Sequence, residues 1–330
     1  MRITVEAERW PYRTPFRIAR GVEEALDVLL VTVGDGRGHA GRGEAAGVDY
    51  AGETIDSMRA QLAAVESALA AVVEAAAARA ELQRLLPPGG ARNALDCALW
   101  DLEAKATGVS VWSRLGLDPP HRVITCLTLG MDAIGTMTRA ARAARELPVL
   151  KVKVNAEQHL EAVRAVHEAS PGASILIDPN QSWSIALLNE LAPELGSLGV
   201  VLIEQPLPGD AQGDLGAYRG PIPLAADESC ADRASLAALS RSYRYVNIKL
   251  DKAGGLTEGL ALAGAARAAG YGIMVGCMAG TSLAMAPGMV IAQEAKFVDL
   301  DGPLLHASDR TPGIEYRNGV MQVPPRELWG

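Results

Sequence analysis

Three short runs decide the fold of this chain: VLKVKV at residues 149–154, SILIDPN at 174–180 and VVLIEQP at 200–206. Each run is rich in β-branched and other apolar residues, and helix-like segments separate the runs, which recur about every 25 residues. Strands that alternate with helices predict parallel βαβ units. The polar residues that close the runs are therefore predicted to lie together at one end of a parallel sheet.

The same pattern continues on both sides of these runs and gives eight predicted strands. They span residues 123–129, 149–154, 174–178, 200–204, 222–227, 245–250, 271–276 and 296–301. Eight such units predict an α/β fold with a (β/α)8-type, modified TIM barrel. An open, doubly wound sheet is the alternative.

The first 115 residues have a different, α+β pattern. The predicted elements are strands at 1–8 and 26–33, a polar loop at 14–25, a glycine-dense hairpin turn at 34–43, and helices at 53–86 and roughly 91–107. The predicted organisation is thus an α+β domain at 1–115, the barrel at 116–305, and a C-terminal segment at 306–330 that packs back on the first domain.

Composition argues against several classes of function. The 330 residues carry a formal net charge of −8 and no run of Lys or Arg, so no nucleic-acid partner is expected. The apolar stretches are broken by charge and the N-terminus has no apolar signal-peptide core, so no membrane association is expected. The four cysteines (Cys97, Cys126, Cys230 and Cys277) form no CxxC motif, which is typical of a cytoplasmic protein.

Three carboxylates close successive predicted barrel strands: Asp178, Glu204 and Asp227. Since active sites of parallel barrels lie at the carboxyl ends of the strands, the three are predicted to meet at one mouth. A hard divalent cation relieves their mutual repulsion, and Mg²⁺ prefers oxygen ligands of this kind. One such residue would more often be a helix N-cap, but three consecutive strand ends flanked by lysines favour a metal site.

Lys151 and Lys153 share one face of their predicted strand, because side chains two residues apart point the same way. Directed into the barrel, they need neighbouring negative charge, which the three carboxylates supply. A like charge beside Lys153 is expected to lower its pKa from the ordinary value near 10.4 and to make it a general base. The alternative is a surface-facing KxK on an edge strand.

Lys249 lies on the sixth predicted strand, opposite the second strand in a ring of eight, so we expect it to face Lys153. A substrate between them could lose an α-proton on one face and regain it on the other, with the cation and Lys151 stabilising the negative charge that develops. Asp299 and Asp301 close the eighth strand and form an anionic pole opposite the metal. Lys252 is predicted to lie in the following loop or behind the site.

In combination, KVKV, IDPNQSW, IEQP, AADES and NIKLDKAGG resemble the enolase superfamily, in its muconate-lactonising subgroup, over essentially the whole chain. GCMAGTSLA and DLDGPLL resemble the dipeptide epimerases of the L-Ala-D/L-Glu type, and GCMAGTS lacks the histidine of the mandelate racemase pattern. The resemblance implies that Asp178, Glu204 and Asp227 bind one Mg²⁺ per subunit, which Mn²⁺ can replace. It also implies that Lys153 and Lys249 are the acid/base pair and that Asp299 and Asp301 hold the substrate's ammonium group.

The resemblance further implies that the first domain caps the barrel and that its first loop selects the substrate. That loop contains Arg17 and Arg20, and Arg20, which resembles the family's specificity arginine, is the predicted contact for an acidic side chain. The expected activity is Mg²⁺-dependent epimerisation of a dipeptide at the α-carbon of its C-terminal residue, in peptidoglycan peptide metabolism. The expected partners are this small molecule and further copies of the chain in a homo-oligomer.

Other reactions fit the same metal and lysine frame. N-acylamino acid racemisation stays open, as do o-succinylbenzoate synthase and cycloisomerase activities, although substrates of the last two carry no ammonium group to pair with Asp299 and Asp301. A Schiff-base aldolase would use a barrel lysine but would not need three carboxylates at adjacent strand ends. A purely structural or binding barrel would not need every acid/base and metal position to be filled.

Overall fold

The chain is described by a computed structural model, which covers residues 1–18 and 21–330. The strands are β1 (Arg2–Ile18), β2 (Gly21–Gly34), β3 (Ala40–Ala45), β4 (Val123–Ile124), β5 (Leu127–Leu129), β6 (Val149–Lys153), β7 (Ser174–Asp178), β8 (Val200–Glu204), β9 (Leu224–Ala226), β10 (Tyr245–Lys249), β11 (Gly272–Gly276), β12 (Phe297–Val298), β13 (Tyr316–Arg317) and β14 (Val320–Met321).

The α-helices are α1 (Ile55–Ala70), α2 (Ala75–Leu85), α3 (Gly90–Thr107), α4 (Val111–Arg114), α5 (Ile134–Ala143), α6 (Leu160–Ala169), α7 (Ile185–Ser197), α8 (Arg233–Leu236), α9 (Leu250–Ala253), α10 (Leu256–Ala268), α11 (Ser282–Ala292) and α12 (Gly302–Leu305). Two 3₁₀ helices span Asp49–Ala51 and Gly209–Ala217.

The first domain opens with a long antiparallel hairpin of β1 and β2, to which β3 adds a third strand. The pairing runs as far as Ile18 and Gly21, so most of the polar segment predicted as a loop at 14–25 is strand instead. Most described side chains of this outer arm are exposed, although Tyr12 is buried. Pro11 and Pro15 interrupt the alternation of Trp10, Tyr12, Phe16 and Ile18, and proline within a run argues against a strand. The turn predicted at 34–43 is shorter in the structure: it lies between Gly34 and Ala40, and residues 40–43 belong to β3.

Helices cover the inner face of this small sheet. The single helix predicted at 53–86 is wrong, since α1 ends at Ala70 and α2 begins at Ala75. The break turns the chain so that both helices bury apolar side chains, such as Leu62 and Leu82, in one core with α3. Alanine-rich sequence is helical on either side of such a turn, so propensity alone did not reveal it.

The (β/α)8 architecture is confirmed. Eight parallel strands are hydrogen-bonded in the order β5 to β12, and the N–H of Cys126 donates to the carbonyl of Val298, which links the first strand to the last. The run predicted as the first strand, 123–129, is divided: β4 pairs with β14 outside the barrel, and β5 alone joins the ring. Helices between the strands cover the outside of the barrel, as the spacing predicted.

The C-terminal residues lie against the first domain. The indole N–H of Trp329 donates to the carbonyl of Cys97, the N–H of Gly330 donates to Asp101, and Arg42 donates to the carbonyl of Leu328. Within residues 1–18 and 21–330, none of the helices has the length and apolar character needed to cross a membrane.

Candidate active site

The inward faces of the central barrel strands carry three carboxylates. Apolar side chains on these faces form a small core inside the barrel, and each is followed two residues later by an acid: Leu176 by Asp178, Leu202 by Glu204 and Ala225 by Asp227. Because residues two apart share a strand face, the carboxylates point into the barrel at its carboxyl end. All three are buried.

The ammonium group of Lys151 lies among these carboxylates. Its Nζ is 2.6 Å from Glu204 Oε2, 3.2 Å from Asp178 Oδ2 and 2.7 Å from Asp299 Oδ2. Burial alone would lower the pKa of Lys151, but the carboxylates outweigh burial and hold the pKa well above its usual value. Lys151 is therefore a fixed positive charge that joins strands on two sides of the mouth.

Lys153 and Lys249 face each other across the pocket, since β6 and β10 are four places apart in the ring of eight strands. Lys153 Nζ donates to Asp178 Oδ2 at 2.6 Å and to Asn180 Oδ1 at 3.2 Å, whereas Lys249 Nζ donates to Asp227 Oδ2 at 2.8 Å. Burial lowers the pKa of Lys249, but nearby carboxylates, Asp227 first among them, raise it well above its usual value.

Lys252 lies behind the site, one of the two positions expected from the sequence. It is buried in α9, and its Nζ donates to Asp227 Oδ1 at 2.6 Å and to the carbonyls of Cys230 and Asn247, each at 3.0 Å. Asp227 is thus held by two lysines, one on each carboxylate oxygen, and they keep its pKa well below the usual range despite its burial.

Of the three carboxylates, Glu204 is the one whose negative charge the neighbouring groups stabilise least. Burial and then the neighbouring Asp178 raise the pKa of Glu204 to about 8. Its Oε1 accepts a hydrogen bond from Asn247 Nδ2 at 2.7 Å, and its buried Oε2 forms an ion pair with Lys151 Nζ at 2.6 Å, with no further hydrogen bond among the described residues. Three buried carboxylates that gather around one positive charge form an all-oxygen set that fits a hard divalent cation.

Another group of potential metal ligands has shorter distances between its ligand atoms than the three strand-end carboxylates have. In the part of the chain that the structure describes, Cys126 Sγ and carboxylate oxygens of Asp299 and Asp301 lie within 4.8 Å of one another, whereas Asp178, Glu204 and Asp227 form no such group. A thiol is a soft ligand that Mg²⁺ does not favour, and Asp299 is already paired with Lys151. The three strand-end carboxylates therefore remain the candidate metal site. Lysine ammonium groups lie among them.

Asp299 and Asp301 follow β12, which ends earlier than predicted because α12 begins at Gly302. Asp299 Oδ1 accepts from Cys126 Sγ at 3.1 Å, and Asp301 Oδ2 accepts from the N–H of Thr128 at 2.6 Å. Burial, and then repulsion by Asp299, raise the pKa of Asp301 to about 7. Both carboxylates line the same pocket as the lysines.

The first domain closes the mouth of the barrel. Its contribution to the pocket wall consists of Tyr12, Phe16, Glu23, Leu26, Ala46, Gly47 and Asp49. Arg20 lies outside the described residues. Arg17 is exposed and is not among the described residues that line the pocket. Its carbonyl accepts a hydrogen bond from the N–H of Met131 at 2.8 Å.

Several pocket residues were not anticipated from the sequence. Thr128 could have been found, because it lies two residues after the inward-facing Cys126 and therefore shares its face. Asn180 stands in the quoted IDPN motif next to Asp178, and its amide oxygen contacts Lys153. Phe16 lies in the loop at 14–25 that the resemblance predicted to select the substrate. Tyr12 lies before that loop, and only the docking of the first domain brings it to the mouth.

The fold and the site define a barrel enzyme of the enolase superfamily. Residues 135–327 match the family described as enolase C-terminal domain-like, and residues 1–116 match the N-terminal domain of the mandelate racemase / muconate lactonizing enzyme family. The chain belongs to this family.

Particular relatives are similar over most of the chain. The L-Ala-D/L-Glu epimerase of Escherichia coli K12 is 40% identical over 326 residues, which cover 97% of this chain and 99% of the relative. An N-acetyl-D-glutamate racemase of a Pseudoalteromonas species is 43% identical over 250 residues, 76% of this chain and 79% of the relative. A dipeptide epimerase from Methylococcus capsulatus, solved with Mg and L-Arg-D-Lys, superposes with a TM-score of 0.87 at 31% identity and covers 99% and 98% of the two chains.

Proposed function

We propose that this protein is a Mg²⁺-dependent dipeptide epimerase of the L-Ala-D/L-Glu type, acting at the α-carbon of the substrate's C-terminal residue. The observation that carries the proposal is the placement of Lys153 and Lys249 on opposite sides of one pocket, with carboxylates on the strands between them. The similarity to the Escherichia coli L-Ala-D/L-Glu epimerase supports the substrate class.

The metal site consists of Asp178, Glu204 and Asp227, one Mg²⁺ per chain, with Mn²⁺ as a substitute. Support comes from the all-oxygen donor set, from the burial of all three carboxylates, and from the Mg-containing Methylococcus relative. When bound, the ion supplies positive charge that offsets the negative charge developing on the substrate carboxylate and counteracts the carboxylates that raise the pKa of Lys249.

The lysines move the proton. A neutral lysine on one side takes the α-proton, so that the Cα–H bond breaks and its electron pair delocalises into the carboxylate as an enediolate. The protonated lysine on the other side then donates its proton to the opposite face of the same carbon, which inverts the configuration. Lys151, buried and positively charged, stabilises the extra negative charge, and the site requires no other reactant.

Asp299 and Asp301 line the pocket and hold the substrate's amino group in this proposal. Asp299 lies nearer the metal site than its place in the ring of strands predicted, because Lys151 Nζ is 2.7 Å from Asp299 Oδ2 and 2.6 Å from Glu204 Oε2. An extended dipeptide spans about 7 Å at 3.3–3.6 Å per residue, which is the right order to reach the end of β12 from a central metal. Arg20 is proposed to contact the acidic side chain of the C-terminal residue, on the strength of its position in the sequence.

One experiment tests this function. L-Ala-L-Glu incubated in D₂O with the enzyme and Mg²⁺ should exchange its C-terminal α-proton and epimerise. EDTA should abolish both reactions, and Mg²⁺ or Mn²⁺ should restore them. Asp227→Asn should remove activity while circular dichroism stays unchanged. Full activity in a rigorously metal-free preparation would falsify the metal assignment.

A second function deserves a direct test because of the similarity to N-acetyl-D-glutamate racemase. An N-acylamino acid carries no ammonium group, so it gains nothing from the anionic pole of Asp299 and Asp301. Comparison of L-Ala-L-Glu with its N-acetylated form therefore separates the two activities. Equal kcat/KM values would move the assignment to N-acylamino acid racemisation.

The proposal also includes the domain division, the cellular location and the oligomeric state. The chain is divided into a capping domain at 1–115, a barrel at 116–305 and a C-terminal segment at 306–330; the contacts of Trp329 and Gly330 with α3 support the last of these. The protein is cytoplasmic, in line with cysteines that are all unpaired in the structure. It is a homo-oligomer, which light scattering at several concentrations tests.

A further inference from the structure

A cluster of charged and polar side chains joins four separate positions of the chain beside the pocket. Arg310, in the C-terminal segment, places Nη2 2.6 Å from Glu44 Oε2 on β3 and 2.6 Å from Glu8 Oε2 on β1. Its Nε donates to Thr281 Oγ1 at 2.8 Å. We call Glu8, Glu44, Thr281 and Arg310 the clasp. The side chains of Arg310 and Glu44 are 9% and 0% exposed.

The clasp holds the loop between β11 and α11. Glu44 Oε1 accepts from the N–H of Thr281 at 2.7 Å, and Glu44 Oε2 accepts from its hydroxyl at 2.5 Å. Thr281 also caps α11, because its hydroxyl accepts from the N–H of Leu283. The end of this loop is therefore fixed both to the first domain and to the following helix.

Neighbouring atoms pack tightly against both sides of this loop. A Cβ on Gly280, whose φ is +129°, would lie 3.1 Å from Glu44 Oε1, and a Cβ on Gly302 would lie 2.6 Å from the carbonyl oxygen of Gly280. Gly302 directly follows Asp301. The loop is therefore packed between the clasp and the segment that carries the anionic pole of the pocket.

The same loop forms part of the pocket wall. Cys277, Met278 and Ala279 all line the pocket that contains Asp299 and Asp301. A shift of the loop would widen or narrow the pocket beside Asp299 and Asp301. The loop begins after Gly276, which pairs with Lys249 on β10, so a shift can also change kcat for every substrate, and only the ratio between substrates reports the size of this space. The pocket volume that changes lies beside Asp299 and Asp301, which are proposed to bind the substrate's amino group.

We propose that the clasp controls substrate specificity: by fixing the loop at 277–281, Arg310 and Glu44 set the size of the amino-terminal residue that the dipeptide substrate can carry. The inference rests on the proposed dipeptide activity and deepens it. Arg310 and Glu44 are positioning residues, since they act through the loop and do not line the pocket as described.

The variant to compare carries Arg310→Met together with Glu44→Gln, because removing Arg310 alone leaves a buried carboxylate without its cation. Wild type should prefer L-Ala-L-Glu to L-Leu-L-Glu. In the double variant, the ratio of the two kcat/KM values should fall by about ten-fold, the lower end of the discrimination that one methylene group gives in an apolar pocket. Arg310→Lys, which keeps a cation beside Glu44, should retain most of the wild-type ratio.

A matched control separates this role from general loss of stability. Trp100→Phe removes another contact between the first domain and the barrel, the 3.0 Å hydrogen bond from Trp100 Nε1 to Thr257 Oγ1, which is not part of the pocket wall. It should lower stability and leave the specificity ratio unchanged. An unchanged ratio in the double variant, or an equal change in Trp100→Phe, overturns the proposal.

A measurement without substrate keeps the clasp testable if the dipeptide activity fails. Hydrogen exchange of the peptide covering 276–283 should be at least about ten-fold faster in the double variant, because the N–H of Thr281 loses its ionic acceptor. Wild type that epimerises neither dipeptide would refute the proposed function. Unchanged exchange in this peptide would refute the clasp, whatever the substrate.

Discussion

Each of the two facing lysines has its own carboxylate partner, so each can be removed separately. We predict that Lys153→Ala and Lys249→Ala each abolish epimerisation. Each variant should still exchange the α-proton of one stereoisomer, and the two variants should act on opposite stereoisomers, because only one base per face is removed.

The measurement is ¹H NMR of L-Ala-L-Glu and L-Ala-D-Glu in D₂O with each variant. Lys105→Ala, which alters a lysine of the first domain paired with Asp101, is the control and should epimerise like wild type. Normal epimerisation by Lys249→Ala would contradict the two-base mechanism.

Asp301 has a pKa of about 7, so its charge changes within the working range of pH. Burial raises this pKa, so Asp301 is protonated below about 7 and loses the charge that pairs with an ammonium group. We predict that KM for L-Ala-L-Glu rises by about ten-fold per pH unit below 7 and is flat above 8. In Asp301→Asn, KM should be high and independent of pH across this range.

The contribution of Asp301 to stability depends on pH in the opposite direction from its contribution to substrate binding. Because the folded pKa lies above the ordinary value, the protonated carboxyl favours the fold, and this contribution is lost as pH rises through about 7. Asp301→Asn should therefore not lower the free energy of unfolding at pH 8. A KM of wild type that stays constant from pH 6 to 8 would exclude Asp301 as the ammonium partner.

At the scale of elements, β3 and α3 approach unusually closely. A Cβ on Gly43 would lie 2.0 Å from the carbonyl oxygen of Ala94, and one on Gly41 would lie 2.2 Å from that of Ala98. Neither the helix backbone nor the strand can shift without disturbing the core of the first domain. We predict that Gly43→Ala lowers the free energy of unfolding by about 3 kcal/mol.

The control is Gly264→Ala in α10, where nothing lies within 4 Å of the added Cβ. There the substitution should raise stability by about 0.5–1 kcal/mol, because alanine loses less backbone entropy than glycine in a helix. Urea unfolding of both variants measures these differences. Equal stability of the Gly43→Ala variant and wild type would show that the strand can move away from the helix.

At the scale of the whole molecule, metal binding should stabilise the folded chain. Mg²⁺ at a concentration of one hundred times its Kd should add about 2.7 kcal/mol, which corresponds to a rise in Tm of about 5 °C. Glu204→Gln should lose this response. Its Tm without metal should not fall, because the buried Glu204 carboxylate is costly, with a pKa of about 8.

Differential scanning calorimetry with and without Mg²⁺ checks this expectation. Glu258→Gln is the control, since it removes an acid that pairs with Arg233 rather than with the barrel lysines, and it should keep the full response. The same response to Mg²⁺ in Glu204→Gln as in wild type would remove Glu204 from the set of metal ligands.

The sequence by itself determined the barrel, the family and most of the site. Alternation along a buried strand places Lys151 beside Lys153 and sets Asp178, Glu204 and Asp227 at strand ends, because a parallel barrel turns a local period of two into a shared mouth. These residues are separated in the chain but follow one rule of side-chain direction, so no tertiary information was needed to group them.

Only the tertiary structure decided the rest. The hairpin arm beyond Pro11 is mostly exposed and contains Pro15, so its sequence resembles a loop, and its approach to the barrel mouth depends on the docking of two domains. Likewise, Glu8, Glu44, Thr281 and Arg310 meet from four distant positions that share no periodic pattern. Periodicity records which side of an element is buried, whereas contacts between elements depend on how the elements pack, and no local pattern records that.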